Sequence, residues 1–119
     1  MEHQEWHKIS LAKYAADQEI LSLLIKQLIK DFESCGIKLQ LPFDASAFLI
    51  KEQVLEALLK DIRSSQSKIQ QLLYRIDVSE NSIGKITDQN NFNHFVNSLT
   101  DIVIERELKK IIIRKYYSR

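Results

Sequence analysis

The stretch that decides the fold is residues 88–117, DQNNFNHFVNSLTDIVIERELKKIIIRKYY, which contains neither glycine nor proline. Its apolar residues recur every three or four positions, the spacing of an amphipathic α-helix. They form one stripe and then a second, rotated stripe: Phe92, Phe95, Val96, Leu99, Ile102 and Val103, followed by Ile104, Leu108, Ile111 and Ile112. We predict a single helix with more apolar surface than one neighbouring helix would cover.

Glycine and proline occur only near the ends of three such stretches. The chain has two glycines, Gly36 and Gly84, and one proline, Pro42. Because both residue types interrupt helices, their placement predicts three long helices, over about residues 5–34, 45–78 and 88–117. Gly36 is placed to end the first helix in a left-handed cap, with Ile37 as its apolar contact. The polar run 64–67 leaves an alternative in which the second stretch is two helices, making four in all.

The first stretch carries apolar residues on two nearly opposite faces. One face holds Trp6, Ile9, Ala12, Ala16, Ile20, Leu23 and Leu24, and the other holds Tyr14, Leu21, Ile25, Leu28, Ile29 and Phe32. A helix that is apolar on two sides must contact something on each. Since the third stretch shows the same excess, we expect an elongated antiparallel bundle that self-associates, as a homodimer.

The segment between the first two helices alternates apolar and polar residues. Ile37, Leu39 and Leu41 are separated by single polar residues, which is the pattern of an extended chain. We predict a connector that lays these side chains over the end of the bundle. Asp44 or Ser46 can then cap the second helix.

Composition limits the classes of protein to which the chain can belong. Its 119 residues, 45% hydrophobic and 28% charged, suit one globular domain over residues 1–119. Cys35 is the only cysteine, which excludes an internal disulfide and a zinc site built on several cysteines. No run is apolar enough to span a membrane, and the N-terminus lacks the features of a signal peptide. We therefore expect a cytoplasmic protein with no membrane partner.

Basic residues collect at the C-terminus, where no carboxylate follows Glu107. Cations can contact a phosphate backbone, and neighbouring tyrosines can stack on bases. The helix end 109–119 is thus a candidate nucleic-acid-binding segment, with Lys109, Lys110, Arg114, Lys115, Tyr116 and Arg119 as its contacts. The structural alternative is that these cations complement the helix dipole and keep the isoleucines soluble.

A second candidate set mixes charged and apolar residues at residues 74–80 and 105–107. Arg106 falls within the first apolar stripe, where an unpaired charge is costly, so it needs a carboxylate such as Asp77 or Glu80. The predicted polar cluster comprises Arg75, Asp77, Glu105 and Arg106. It is either a pocket of a small enzyme or a structural ion pair that fixes helix register.

Histidine and cysteine give weaker signals. His3 and His7 are spaced to share one helix face and can in principle hold a metal, but two solvated histidines are the default. His94 lies off the main apolar stripe. Cys35 precedes Gly36 at a helix C-terminus, whose negative end disfavours a thiolate. No phosphate-binding loop, dinucleotide fingerprint or di-iron motif is present. We expect no catalytic residue, no metal site and no cofactor.

These observations favour a non-enzymatic helical bundle that acts through protein contacts and self-associates. Nucleic-acid binding by the C-terminal helix is the first alternative. A small enzyme or metal protein with a polar pocket between helices is the second.

Overall fold

The structure is a computed structural model that describes residues 10–64, 66–78 and 92–117. These residues form four helices, α1 (Gln18–Ser34), α2 (Ala47–Ser64), α3 (Gln66–Arg75) and α4 (Phe92–Tyr117), after a short 3-10 helix at Ala12–Tyr14. No strand occurs in these ranges. The predicted all-α helical bundle is therefore confirmed.

The first helix is shorter than the sequence predicts. It begins at Gln18 rather than near residue 5. Asp17 is the N-cap of this helix. Its backbone is extended (φ −96°, ψ 93°), and its carboxylate accepts the backbone N–H of Ile20 at 3.1 Å. An N-cap of this kind satisfies a backbone donor that otherwise has no partner. The upstream residues Ala12–Tyr14 form only the 3-10 helix, and residues 1–9 lie outside the described residues.

The second stretch consists of two helices, so the four-helix alternative applies. α2 ends at Ser64 and α3 begins at Gln66. The apolar residues after this point are buried together with those before it, in one core: Ile50, Val54, Leu58, Ile69, Leu72, Leu73 and Ile76. Both helices therefore contribute to the same core, although the sequence favoured one continuous helix.

α1 and α3 end in the same way, in a Schellman motif. After α1, Gly36 has a φ of 78° and Ile37 N–H donates to the Phe32 carbonyl at 2.9 Å, as the sequence predicts. After α3, the left-handed position is occupied by Asp77, with a φ of 65°, and Val78 N–H donates to the Leu73 carbonyl at 2.9 Å. Aspartate tolerates this conformation better than most residues, but glycine adopts it at lower cost.

The connector between α1 and α2 has no regular secondary structure, and its alternate side chains Ile37, Leu39 and Leu41 are buried, as predicted. At its end the hydroxyl of Ser46 accepts the backbone N–H of Leu49 at 3.1 Å. Ser46, and not Asp44, is therefore the N-cap of α2.

α4 lies between α1 and α2 and packs against both. Its two rotated stripes are consequently covered within one chain except at Phe92, which is 43% exposed at the start of the helix. Most of the described apolar residues of α1 are also covered: Ile20, Leu21, Leu24, Ile25, Leu28 and Phe32 are buried, whereas Leu23 is 37% exposed. The apolar patterns of α1 and α4 therefore do not by themselves require a second copy.

α1 and α4 run antiparallel. Glu19 near the start of α1 pairs with Lys115, and Asp31 near its end pairs with Lys110. The Cα atoms extend over 38 × 33 × 24 Å. The bundle is less elongated than three helices of 30 residues would make it, because α1 is shortened and the second stretch is divided. Within the described ranges, no helix combines the length and the apolar character that crossing a membrane requires.

Candidate functional site

The structure distributes the predicted polar cluster over three places. Arg106 donates to Asp77 at 2.9 Å, the pairing expected from the sequence. Arg75 lies apart from this pair and donates to Asp31 of α1 at 2.8 Å. Glu105 borders a groove between α2 and α4, beside Lys51 and Asp101. The four residues therefore do not form one pocket.

A buried charge network, centred on Asp31, joins α1, α3 and α4. Asp31 is almost fully buried and accepts from Gln27 at 2.9 Å, from Arg75 at 2.8 Å and from Lys110 at 3.3 Å. Gln27 in turn accepts from Arg114 at 3.2 Å. Because three helices contribute to these contacts, the network fixes their relative positions.

Glu107 is the second carboxyl of this network and has no exposed surface. When it is ionised, neither of its oxygens accepts a hydrogen bond, although Lys110 Nζ lies 3.3 Å from Oε1. Burial, followed by the hydrogen bond to Asp31 and the charge of Asp31, raises the pKa of Glu107 to about 8. The protonated carboxyl can donate to Asp31, which supplies the partner that the ionised form lacks.

Asp31 shows the opposite behaviour. Burial acts to raise its pKa, but hydrogen bonds from Glu107, Gln27 and Arg75, together with the charge of Lys110, hold its pKa well below the ordinary range. The two carboxyls therefore act as a donor and an acceptor. No described groove is lined by Asp31 or Glu107, so the network is structural in its geometry.

The sequence reasoning missed Asp31 and Glu107, although a signal was present. Glu107 is four residues from both Val103 and Ile111, so it lies within the buried stripe of α4. Asp31 similarly follows Leu24 and Leu28 along α1. A carboxylate within an apolar stripe on two facing helices indicates a buried polar pair. Arg106, which was expected to be buried, is one residue from Glu107 and therefore about 100° away around the helix. Its side chain is only partly buried for this reason.

The predicted nucleic-acid-binding residues divide between the two sides of α4. Lys109 and Lys110 line a groove of about 430 Å³ together with Arg106 and Asp77. Arg114 and Lys115 line a separate groove on the other side, and Tyr116 is exposed. Lys110 is engaged with Asp31 and Lys115 with Glu19, while Arg119 lies outside the described residues.

The groove that contains Arg114 and Lys115 lies between α1 and α4 and has a volume of about 430 Å³. From α1 it gains two more cations, Lys26 and Lys30, which the sequence alone did not associate with the C-terminus. We call it the basic groove. Leu23, Gln27, Glu19 and Ile111 complete its lining.

A third groove, of about 360 Å³, lies between α2, α4 and the 3-10 segment. Its apolar lining consists of Leu11, Ala12, Ala47, Phe48 and Ile104. Phe48 is 74% exposed beside it, and Phe43, five residues earlier, is 66% exposed. At the rim Lys51 pairs with Asp101 at 3.1 Å, and Glu105 has a pKa raised by partial burial and by the charge of Asp101. We call this the aromatic groove.

No group of three or more metal-ligating side chains is assembled in the described part of the chain. His3 and His7 lie outside it, and His94 is exposed on α4. Cys35 is a free thiol, and burial, reinforced by the charge of Asp31 and opposed by that of Arg75, raises its pKa. A raised pKa disfavours the reactive thiolate.

Comparison of the chain with protein-family models, with curated proteins and with solved structures gave no significant match. The function has therefore to be inferred from the two grooves and the charges around them.

Proposed function

We propose that this protein is a non-enzymatic helical-bundle module that acts through protein contacts, and that the aromatic groove is where it binds a second copy of itself. The observation that supports this proposal is the exposure of Phe48 beside a groove with an apolar lining. An aromatic side chain that is 74% exposed next to an apolar concave surface supports an interaction site, because covering both surfaces together removes apolar area from water.

The self-complementary arrangement of the groove supports a second copy as the occupant. Phe48 and the groove lie on the same face, so a two-fold axis can insert each Phe48 into the groove of the other copy. The rim carries both charge signs, with Lys51 beside Asp101 and Glu105. Lys51 of one copy can then face Glu105 of the other, which places opposite charges together across the interface.

We also propose a cytoplasmic location. Cys35 is the only cysteine of the chain and is a free, buried thiol, which suits a reducing compartment.

The decisive experiment measures molar mass by light scattering and sedimentation from low to high micromolar concentration. We expect a monomer–dimer equilibrium for the unmodified protein. Phe48→Ser removes two phenyl contacts per dimer, each contributing about 1.5–3 kcal/mol, and so raises the dissociation constant by at least about 100-fold.

Tyr74→Ser is the matched control, because Tyr74 is 89% exposed on α3 and does not line the groove. It should leave the dissociation constant unchanged. A monomeric mass at every concentration, or equal effects of the two substitutions, would contradict self-association through this groove.

A further inference from the structure

The charged side chains that line the basic groove are mostly positive. Lys26 and Lys30 from α1 face Arg114 and Lys115 from α4 across it, and the single carboxylate in its lining, Glu19, is already paired with Lys115. Its lining is thus suited to an anion rather than to a neutral or cationic ligand.

Two of these cations are available to a ligand. Lys26 and Lys30 are exposed, and no ion pair joins either of them to another described residue. They are four residues apart on α1, which places them on one face about 5–6 Å apart at Cβ. Successive phosphates of an extended nucleic-acid strand have a comparable separation, so each lysine can contact one phosphate.

The α4 side of the groove adds a planar cation, and an aromatic ring lies next to the groove without lining it. Arg114 is exposed and is positioned by its hydrogen bond to Gln27, at 3.2 Å. Lys115 Nζ lies 5.5 Å from the centre of the Tyr116 ring, which is 58% exposed. An exposed aromatic ring beside a row of cations can stack on a base whose phosphate the cations hold.

We propose that the basic groove binds single-stranded nucleic acid, with Lys26, Lys30 and Arg114 on the phosphates and Tyr116 stacked on a base. The groove is concave, so a flexible single strand can enter it, whereas the convex surface of a duplex or a flat membrane contacts only its rim. An acidic peptide helix would need a continuous apolar floor. Leu23 is the one large apolar side chain in the described lining that is substantially exposed.

This site shares no lining residue with the aromatic groove. The nucleic-acid proposal can therefore be tested independently of self-association. The test is fluorescence anisotropy of a labelled single-stranded oligonucleotide titrated with the full chain. With three phosphate contacts and a slope of about −0.7 per contact, affinity should fall about eighteenfold between about 50 and 200 mM salt. Lys26→Glu/Lys30→Glu should weaken binding at the lower salt at least tenfold and reduce that fall to about threefold.

Lys13→Glu/Lys38→Glu is the matched control: it changes the net charge equally, at exposed lysines that do not line the groove. Tyr116→Ala should weaken binding at least about fivefold, whereas Tyr74→Ala should not change it. Absence of binding at the lower salt, equal losses in both lysine double variants, or equally tight binding of a duplex, of poly-glutamate or of anionic lipid vesicles would overturn the proposal. Circular dichroism of each variant verifies that the helices are retained.

Discussion

Glu107 is a buried carboxyl whose raised pKa couples the stability of the fold to pH. It is fully buried among Asp31 of α1 and Lys110 of its own helix, with Gln27 and Arg75 completing the network around Asp31. Its pKa is 4.5 in an ordinary environment and about 8 here. Between these values the folded protein holds a proton that the unfolded chain has released. The free energy of unfolding must therefore decrease as pH rises through this window.

The change expected from Glu107 is about 1.4 kcal/mol per pH unit. We predict that urea denaturation will give the wild type a free energy of unfolding about 2–3 kcal/mol lower at about pH 7.5 than at about pH 5.5. Asp31 does not contribute in this window, because its lowered pKa makes its stabilisation disappear only in more acidic solution.

Glu107→Gln should remove this slope, since the amide cannot ionise and can still donate to Asp31. Glu52→Gln, at an exposed site on α2, should retain the wild-type slope. A Glu107→Gln variant that keeps the full slope would show that another group controls it.

Asp77 is the second residue with a measurable consequence, because it has a left-handed backbone (φ 65°) and an ion pair with Arg106. Its carboxylate is 87% exposed, so the pair contributes at most about 1 kcal/mol. We predict that Asp77→Gly will be neutral or stabilising by up to about 1 kcal/mol, since glycine adopts this conformation without strain.

Asp77→Val should destabilise by at least about 1–2 kcal/mol, because a β-branched residue is strained at positive φ. Arg106→Gln removes the ion pair without changing the backbone at Asp77. It therefore measures the contribution of the ion pair to the free energy of unfolding. Thermal denaturation of the three variants distinguishes the backbone from the charge contribution; a strongly destabilised Asp77→Gly protein would contradict the backbone explanation.

At the scale of the elements, capping explains where two helices begin. The sequence offered Asp44 or Ser46 as the cap of α2, and in the structure Ser46 accepts the Leu49 N–H. We predict that Ser46→Ala will lower the free energy of unfolding by about 1 kcal/mol and that Asp44→Ala will leave it unchanged, as measured by chemical denaturation. The reverse order of the two effects would assign the cap to Asp44.

The helices that the sequence predicted well are those with an unambiguous end. Gly36 is one of only two glycines in the chain and therefore marks the end of α1 clearly. The left-handed cap at Gly36 and the burial of Ile37 both follow from its position. The start of α1 could not be predicted in the same way, because the upstream residues 11–16 are themselves good helix formers. The side chain of Asp17 makes the difference, by accepting a local hydrogen bond that competes with helix continuation.

The candidate sites were predictable only in part. The Arg106–Asp77 pair follows from a rule about buried charge, whereas the meeting of Lys26 and Lys30 with Arg114 depends on how α1 packs on α4. No periodicity within one helix encodes that contact. Residues distant in sequence become one site only through tertiary packing, which a single sequence does not reveal.

At the scale of the whole molecule, α4 packs against both α1 and α2 and buries most of its two apolar stripes within one chain. We therefore expect a single copy to fold without a partner. We predict that the thermal midpoint of Phe48→Ser will be independent of protein concentration, because this variant does not associate. The wild-type midpoint should rise with concentration as dimer forms and should converge on the variant's value at dilution.

Differential scanning fluorimetry over a wide dilution series measures both midpoints. If the Phe48→Ser variant were unfolded, or if its thermal midpoint changed with protein concentration, the core would be incomplete without a second copy.

Because Cys35 is buried, the rate at which its thiol reacts reports how often the bundle opens locally. Its thiol is 8% exposed, with a pKa raised by burial, and it lies at the end of α1, four residues from Asp31. An alkylating reagent can modify it only during transient separation of the helices at that end. The labelling rate thus counts these opening events, and any substitution or ligand that tightens the junction should slow the reaction in proportion.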